Sequence, residues 1–174
     1  MALSKINTGG LAADAVDNTI LDLADDFAGM HFGGTGSSNQ FDDYEYGTWT
    51  ATLGGTSSDP TTAVTVTANY TKVGRVVSVR GTFTNVGTTG ASGGVEVRGL
   101  PFTAYNTHAS GNLMTHTGFT LNAGASNVSP YIADNSTTMR FYQSLNQTVW
   151  SQVFHHPGSS GRYLYFTATY QTAQ

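Results

Sequence analysis

Residues 63–84 read AVTVTANYTKVGRVVSVRGTFT. Apolar and hydroxylated side chains alternate through both halves. Val64, Val66, Ala68 and Tyr70 fall on one face, and Thr65, Thr67, Asn69 and Thr71 on the other. After KVGR (72–75), Val77, Val79 and Phe83 fall together, with Ser78, Arg80, Thr82 and Thr84 opposite. Successive side chains of a strand point to opposite faces, so a period of two marks a strand with one face buried. Two such runs joined through a glycine predict an antiparallel hairpin that turns at Gly74. The alternation returns at 162–172, where Leu164, Phe166, Ala168 and Tyr170 share one face. Tyr163, Tyr165, Thr167, Thr169 and Gln171 take the other.

Weaker strands are predicted at 48–53, 94–100, 111–121, 128–133 and 138–145. Turn-rich gaps separate them at 54–62, 85–93, 103–110, 122–127, 134–137 and 155–161. About eight short strands, with no sustained helical period after residue 45, predict an all-β body over 46–174. The expected form is an antiparallel β-sandwich of jelly-roll type, with a squat barrel as the other way to close such strands.

The composition suits that body. Only 10% of the 174 residues are charged, against about 25% in average globular chains. Threonine, serine and asparagine number 27, 15 and 11 instead. Threonine is β-branched and favours strands, while its hydroxyl keeps an outer face wet. Faces of this kind pack against sister subunits without desolvating ions, which is costly. Seven bases against 11 acids exclude a strongly basic nucleic-acid binder. There is no cysteine, hence no disulfide framework and no thiolate zinc site. No apolar run reaches the ~18 residues of a membrane helix. MALSKINTGG lacks the basic-then-apolar pattern of a secretory signal.

The charge is unevenly placed. Residues 1–45 carry eight acids and Lys5, a net of −7, whereas 46–174 carry three acids and six bases, a net of +3. Residues 1–45 therefore read as a separate acidic arm. Within it, Val16, Ile20, Leu23 and Phe27 recur at spacings of 4, 3 and 4, which predicts an amphipathic helix over 12–28. A helix of ~16 residues is marginal alone, so its apolar stripe needs a partner: the body, a sister helix or another protein. GGTGSSNQ at 33–40 reads as a flexible connector.

Motifs for chemistry are sparse. The five histidines (His31, His108, His116, His155, His156) read as loop and surface residues, and adjacent His155 and His156 would point apart in a strand. A metal site would need acids that the body nearly lacks, so no metal and no cofactor are expected. Glu96 and Arg98 alternate on one strand face and read as a surface charge pair. No Gly-x-Ser-x-Gly elbow occurs, and GGTG at 33–36 lacks the Lys-Ser/Thr of a phosphate loop. A glycosidase needs two carboxylates ~5–9 Å apart, and the body offers only Asp59, Glu96 and Asp134. No catalytic residue is assigned, and an enzyme is not expected. What remains is an outward aromatic set: Arg140 with Tyr142, Tyr163 with Tyr165, and Trp150 in a polar stretch. Such side chains either stack on sugars or build subunit interfaces, where Tyr, Trp and Arg are enriched.

Two regions carry a resemblance. SKINTGGLAADAVDNTI (4–20) resembles the N-terminal segments of tailed-phage fibre proteins, especially those of marine and cyanobacterial phages. FDDYEYGTWTATLGG (41–55), NYTKVGRVVSVRGTFT (69–84) and GLPF (99–102) resemble a β-module common at the C-termini of such virion proteins. The usual module has Glu-Glu-Gly-Thr-Trp-Thr. This chain has Glu45-Tyr46-Gly47-Thr48-Trp49-Thr50, one departure. The resemblance implies a homotrimeric structural protein of the virion surface, with no agreed catalytic residues. Its arm, 1–45, would bind other virion proteins (tail, portal or capsid), and its body would be a tail-fibre or receptor-binding knob meeting host surface glycan. A short helix stands where the family has a long shaft, which admits a capsid decoration protein anchored by the arm as the alternative.

Overall fold

The computed structural model describes residues 30–31, 40–41, 43–105, 108–116, 119–145 and 149–173. The chain divides into two compact units, Met1–Asp42 and Asp43–Gln174. In the first, β1 (Met30–His31) pairs antiparallel with β2 (Gln40–Phe41), so the predicted 33–40 connector ends inside a strand. The predicted helix, with Val16, Ile20, Leu23 and Phe27, lies outside the described residues.

The described part of the second unit is all-β. Its strands are β3 (Tyr44–Gly55), β4 (Val64–Val73), β5 (Val76–Val86), β6 (Val95–Arg98), β7 (Ala109–His116), β8 (Phe119–Thr120), β9 (Ala125–Ile132), β10 (Thr138–Leu145), β11 (Ser151–Gln152), β12 (Phe154–His155) and β13 (Arg162–Gln171). Eight of them run in the order β10-β6-β3-β4-β5-β13-β7-β9, and β9 pairs back onto β10 from Met139↔Ile132 to Leu145↔Ala125. Every pairing round this ring is antiparallel, which only an even number of strands permits. The result is a barrel. Two facing sheets of a jelly roll would leave open edges, and closure removes them.

The three alternating stretches form β4, β5 and β13. Val77, Val79 and Phe83 of β5 and Leu164, Phe166, Ala168 and Tyr170 of β13 are buried, and the threonines between them are exposed or half-exposed. Trp49, Ala51 and Leu53 of β3, Val95 and Val97 of β6, and Met139 and Phe141 of β10 complete the interior. Neighbouring strands fit by size. Gly81 lies opposite Phe166, and a Cβ there would stand 2.5 Å from the ring. That ring is hemmed in by Trp49 and Phe83, at centroid separations of 6.3 and 6.4 Å, so it cannot retreat. The β4–β5 hairpin turns through Gly74 at φ +55°, the first loop position of a two-residue turn, where glycine carries no steric penalty.

One end of the barrel is sealed by side chains. Lys72 turns inward to an ion pair with Asp43, and its ammonium lies 5.7 Å from the Phe102 ring centre. The Tyr170 hydroxyl donates to the Phe102 carbonyl at 2.9 Å, and burial pushes that phenol up to about 12.

Candidate functional site

β9 and β10 form a hairpin through a turn in which Asn135 takes φ +55° and donates its N–H to Asp134 Oδ1 at 3.0 Å. With Ile132, Met139 and Phe141 inward, Tyr131, Arg140 and Tyr142 must point outward. The register sets Tyr131 directly opposite Arg140. Trp150 immediately precedes β11, which extends the free part of the β10 edge through Tyr142↔Gln152 and Gln143↔Ser151. Buried Gln143 fastens that segment. Its amide donates to the Gln152 carbonyl at 3.0 Å, and its oxygen accepts the Asn122 N–H at 2.8 Å. Val153 continues the ladder, donating to Phe141 O at 2.9 Å and accepting from Val95 N–H at 2.8 Å.

These constraints gather three rings on the barrel's outside. Tyr142 and Trp150 stand 5.1 Å apart, and Tyr131 meets each of them edge-on at 5.5 Å. Trp150 is 59% exposed while the tyrosines beneath it are half-buried. Tyr131 shares a 2.8 Å hydrogen bond with His108 Nδ1, and Gln152 Nε2 donates to the Tyr142 hydroxyl at 3.3 Å. A rigid, wet-sided aromatic surface results.

A chain of alternating charge runs up to this cluster. Arg98 donates to Asp59 (2.9 Å), Glu96 (3.0 Å) and the Gly55 carbonyl (3.0 Å). Arg140 Nε donates to the other Glu96 oxygen at 2.8 Å. Glu96 is only 5% exposed. The predicted surface charge pair is therefore corrected: Glu96 is a buried carboxylate shared by two arginines. The Arg98 hydrogen bond holds the Asp59 carboxyl below its ordinary range, with the Gly55 N–H adding to it. A carboxyl held in its charged form is a poor proton donor. Burial works against the charge of Arg98, but Asp59 and Glu96 outweigh it and raise its pKa. Glu96 does the same for Arg140, with the Tyr142 phenol beside it.

The predicted site residues thus separate into two places. Arg140, Tyr142 and Trp150 come together. Tyr163 and Tyr165 stack edge-on with each other at 6.5 Å on the outside of β13, where the Tyr165 hydroxyl accepts from Thr84 at 3.3 Å and the exposed Met114 lies alongside. Val16, Ile20, Leu23 and Phe27 lie outside the described residues. Sequence reading missed Tyr131 and His108. The signal for Tyr131 was present, since folding the predicted strands about the 134–137 turn sets it across from Arg140.

His155 is a second correction. It was read as a surface residue, yet it is 7% exposed, with Nε2 2.9 Å from the Gly54 carbonyl and its ring 5.9 Å from Phe119. His156 beside it is exposed. Among the described residues no group of three or more His, Asp or Glu is placed to hold a metal ion, and none forms a helix long and apolar enough to cross a membrane. Comparison of the sequence with protein-family models and with curated proteins found no match.

Chemically, the β9–β10–β11 face suits either a subunit interface or a stacked sugar ring. The C–H-lined face of a sugar ring is apolar and weakly positive, and it stacks on the negative face of an indole. The neighbouring amide, phenol and guanidinium supply hydrogen bonds to hydroxyls at the ring's edge.

Proposed function

We propose that this chain is a structural surface protein of a tailed-phage virion, a homotrimeric fibre knob whose barrel meets host surface glycan. The observation that carries the reading is the exposed Trp150 indole braced by Tyr131 and Tyr142, in a chain whose 41–55 and 69–84 blocks resemble the β-module of phage fibres. Two tyrosines holding a tryptophan out toward water are difficult to explain by folding alone, because burying the indole would contribute ~2 kcal/mol or more. A second surface supports oligomerisation. Tyr44, Val73 and Val76 lie in one row across the outside of β3–β4–β5, with Tyr46 beside them, all 42–74% exposed. Residues 1–45, with their acids and their apolar stripe, are the anchor to other virion proteins in this reading.

Saturable adsorption of the purified protein to host cells, lost in Trp150→Ala, is the expected result. Adsorption that survives Trp150→Ala refutes the glycan role. Light scattering should return three times the chain mass, and a stable monomer refutes the trimer. A protein that coats capsids and never adsorbs to cells would instead be the decoration protein of the alternative reading.

A further inference from the structure

The charge chain ends unevenly at the aromatic cluster. Arg98 spends its guanidinium on three acceptors: Asp59, Glu96 and the Gly55 carbonyl. Arg140 commits only Nε to Glu96, and that bond fixes the plane of its guanidinium. Its side chain is 47% exposed, although its Glu96 partner is almost completely covered. The sequence along the surface is Asp59, Arg98, Glu96, Arg140, alternately negative and positive, with the positive end beside Tyr142 and Tyr131. The terminal nitrogens of Arg140 form a planar pair whose protein neighbour is the Tyr142 phenol. The pair is half-open to solvent and close to the only strongly exposed indole among the described residues. A planar pair of guanidinium donors matches a carboxylate better than any neutral sugar group.

We infer that this face selects a carboxylate-bearing saccharide, with the uronic-acid carboxylate on the Arg140 terminal nitrogens and an adjoining ring stacked on Trp150. The inference rests on the glycan reading above and adds the ligand's charge. Glu96 is the positioning residue: it holds the fork in place from below and does not touch ligand. Arg98 keeps Glu96 from being an unpaired repulsive charge behind the site. Tyr142 and Gln152 supply the neutral hydrogen-bonding edge.

The test is calorimetric titration of the full chain with a glucuronic-acid disaccharide and with the same disaccharide after reduction of the carboxyl to an alcohol. The charged ligand should bind about tenfold to a hundredfold more tightly, the range of a charge-assisted hydrogen bond. The margin should shrink with added salt, because the site is partly exposed. Arg140→Gln should erase the margin, because it should weaken the charged disaccharide far more than the neutral one. Arg140→Lys should recover part of it, since an ammonium keeps the charge and loses the fork. Trp150→Ala should weaken both ligands alike. Equal binding of the two disaccharides to the wild-type protein overturns the charge selection and leaves the glycan reading intact. If neither disaccharide binds at millimolar concentration, this inference fails, and cell adsorption by wild type and Trp150→Ala decides separately whether the glycan reading falls with it. The wild-type comparison needs no variant to fold.

Discussion

The barrel has one interior and two kinds of exterior. Over β4, β5 and β13 the outer rows read Asn69–Arg80–Thr167 and Thr71–Ser78–Thr169, short polar side chains in register apart from Arg80. Over β9 and β10 the rows read Tyr131–Arg140, continued on β6 by the covered Glu96, and Ser129–Tyr142, continued on β11 by Gln152, with Trp150 on top. Beneath both, the inward positions are mostly apolar, with Lys72 and Gln143 the buried polar side chains among them. The inward positions are constrained because a packed interior registers the loss of even one methylene. The outward positions are nearly free, since surface exchanges usually move stability by less than about 0.5 kcal/mol. Large aromatic rings and a linked ion chain on the free side thus call for a purpose other than folding.

The most direct way to break that contrast is to remove one large ring from each side of the wall. Phe83 is fully buried. Phe83→Ala should cost about 3–5 kcal/mol in urea denaturation, through lost transfer energy and the cavity left behind. Trp150→Ala should cost less than about 1 kcal/mol, because the indole is mostly in water already. Equal losses would mean that the outer aromatic cluster is a second core, and the functional reading of it would go.

A gentler version compares polar contacts. Ser78 Oγ and Thr169 Oγ1 are 3.1 Å apart on the exposed hydroxyl face. Ser78→Ala should be neutral within about 0.5 kcal/mol, as water replaces the bond. Glu96→Gln should cost about 1–2 kcal/mol, since it strips two charge-assisted bonds from a buried acceptor but leaves arginines that can still reach solvent. Thermal melts of the two variants side by side would rank the faces. A Glu96→Gln protein as stable as Ser78→Ala would make the charge chain an incidental surface pairing.

The two faces were not equally legible. Wherever a strand alternates apolar with hydroxyl, as in 64–73, 76–84 and 164–171, the side-chain period alone assigned inside and outside. The 138–145 strand was bounded correctly for the same reason. Periodicity carries no information about which strands are neighbours, so it could not distinguish a barrel from a sandwich. That choice depends on β9 meeting β10 and β7 at once. The same blindness hid the site. Arg140, Tyr142 and Trp150 were picked out as outward residues, but Tyr131 joins them only through strand pairing, and Glu96 is buried only because Arg140 comes from a different strand. His155 was misjudged because Pro157-Gly158 marks a turn, while the residues just before it pair with β8 and close over the imidazole.

The hairpin that anchored the reading gives the next smaller effect. Gly74 has φ +55°, and a Cβ there would meet nothing within 4 Å. Gly74→Ala should therefore cost only the backbone penalty, about 1 kcal/mol. A larger loss would mean that the substitution also disturbs the Gly74 N–H bond to the Asp43 carbonyl.

The last test has no effect at neutral pH and grows only on acidification. His155 lies under the Asp59 end of the charge chain. Burial lowers its pKa below 6.5, against smaller opposing contributions from the Gly54 carbonyl and Asp59. With Nε2–H donated to Gly54 O, Nδ1 is buried without a hydrogen-bond partner in the described structure, so an added proton there would find no acceptor. Above pH 6.5 the ring is neutral folded and unfolded, and it contributes no pH dependence. As pH falls below 6.5 the unfolded chain takes the proton first, so stability declines until pH passes the lowered folded pKa. Asp59 acts in a different window. Its carboxyl is held below 3.8 chiefly by the Arg98 hydrogen bond, so its contribution is present above that pH and lost as pH falls further. Urea midpoints measured from pH 7 downward should show both declines, and His155→Gln should flatten the first while leaving the second. If the variant declines in parallel with the wild type just below pH 6.5, the imidazole is not what couples this face to acid.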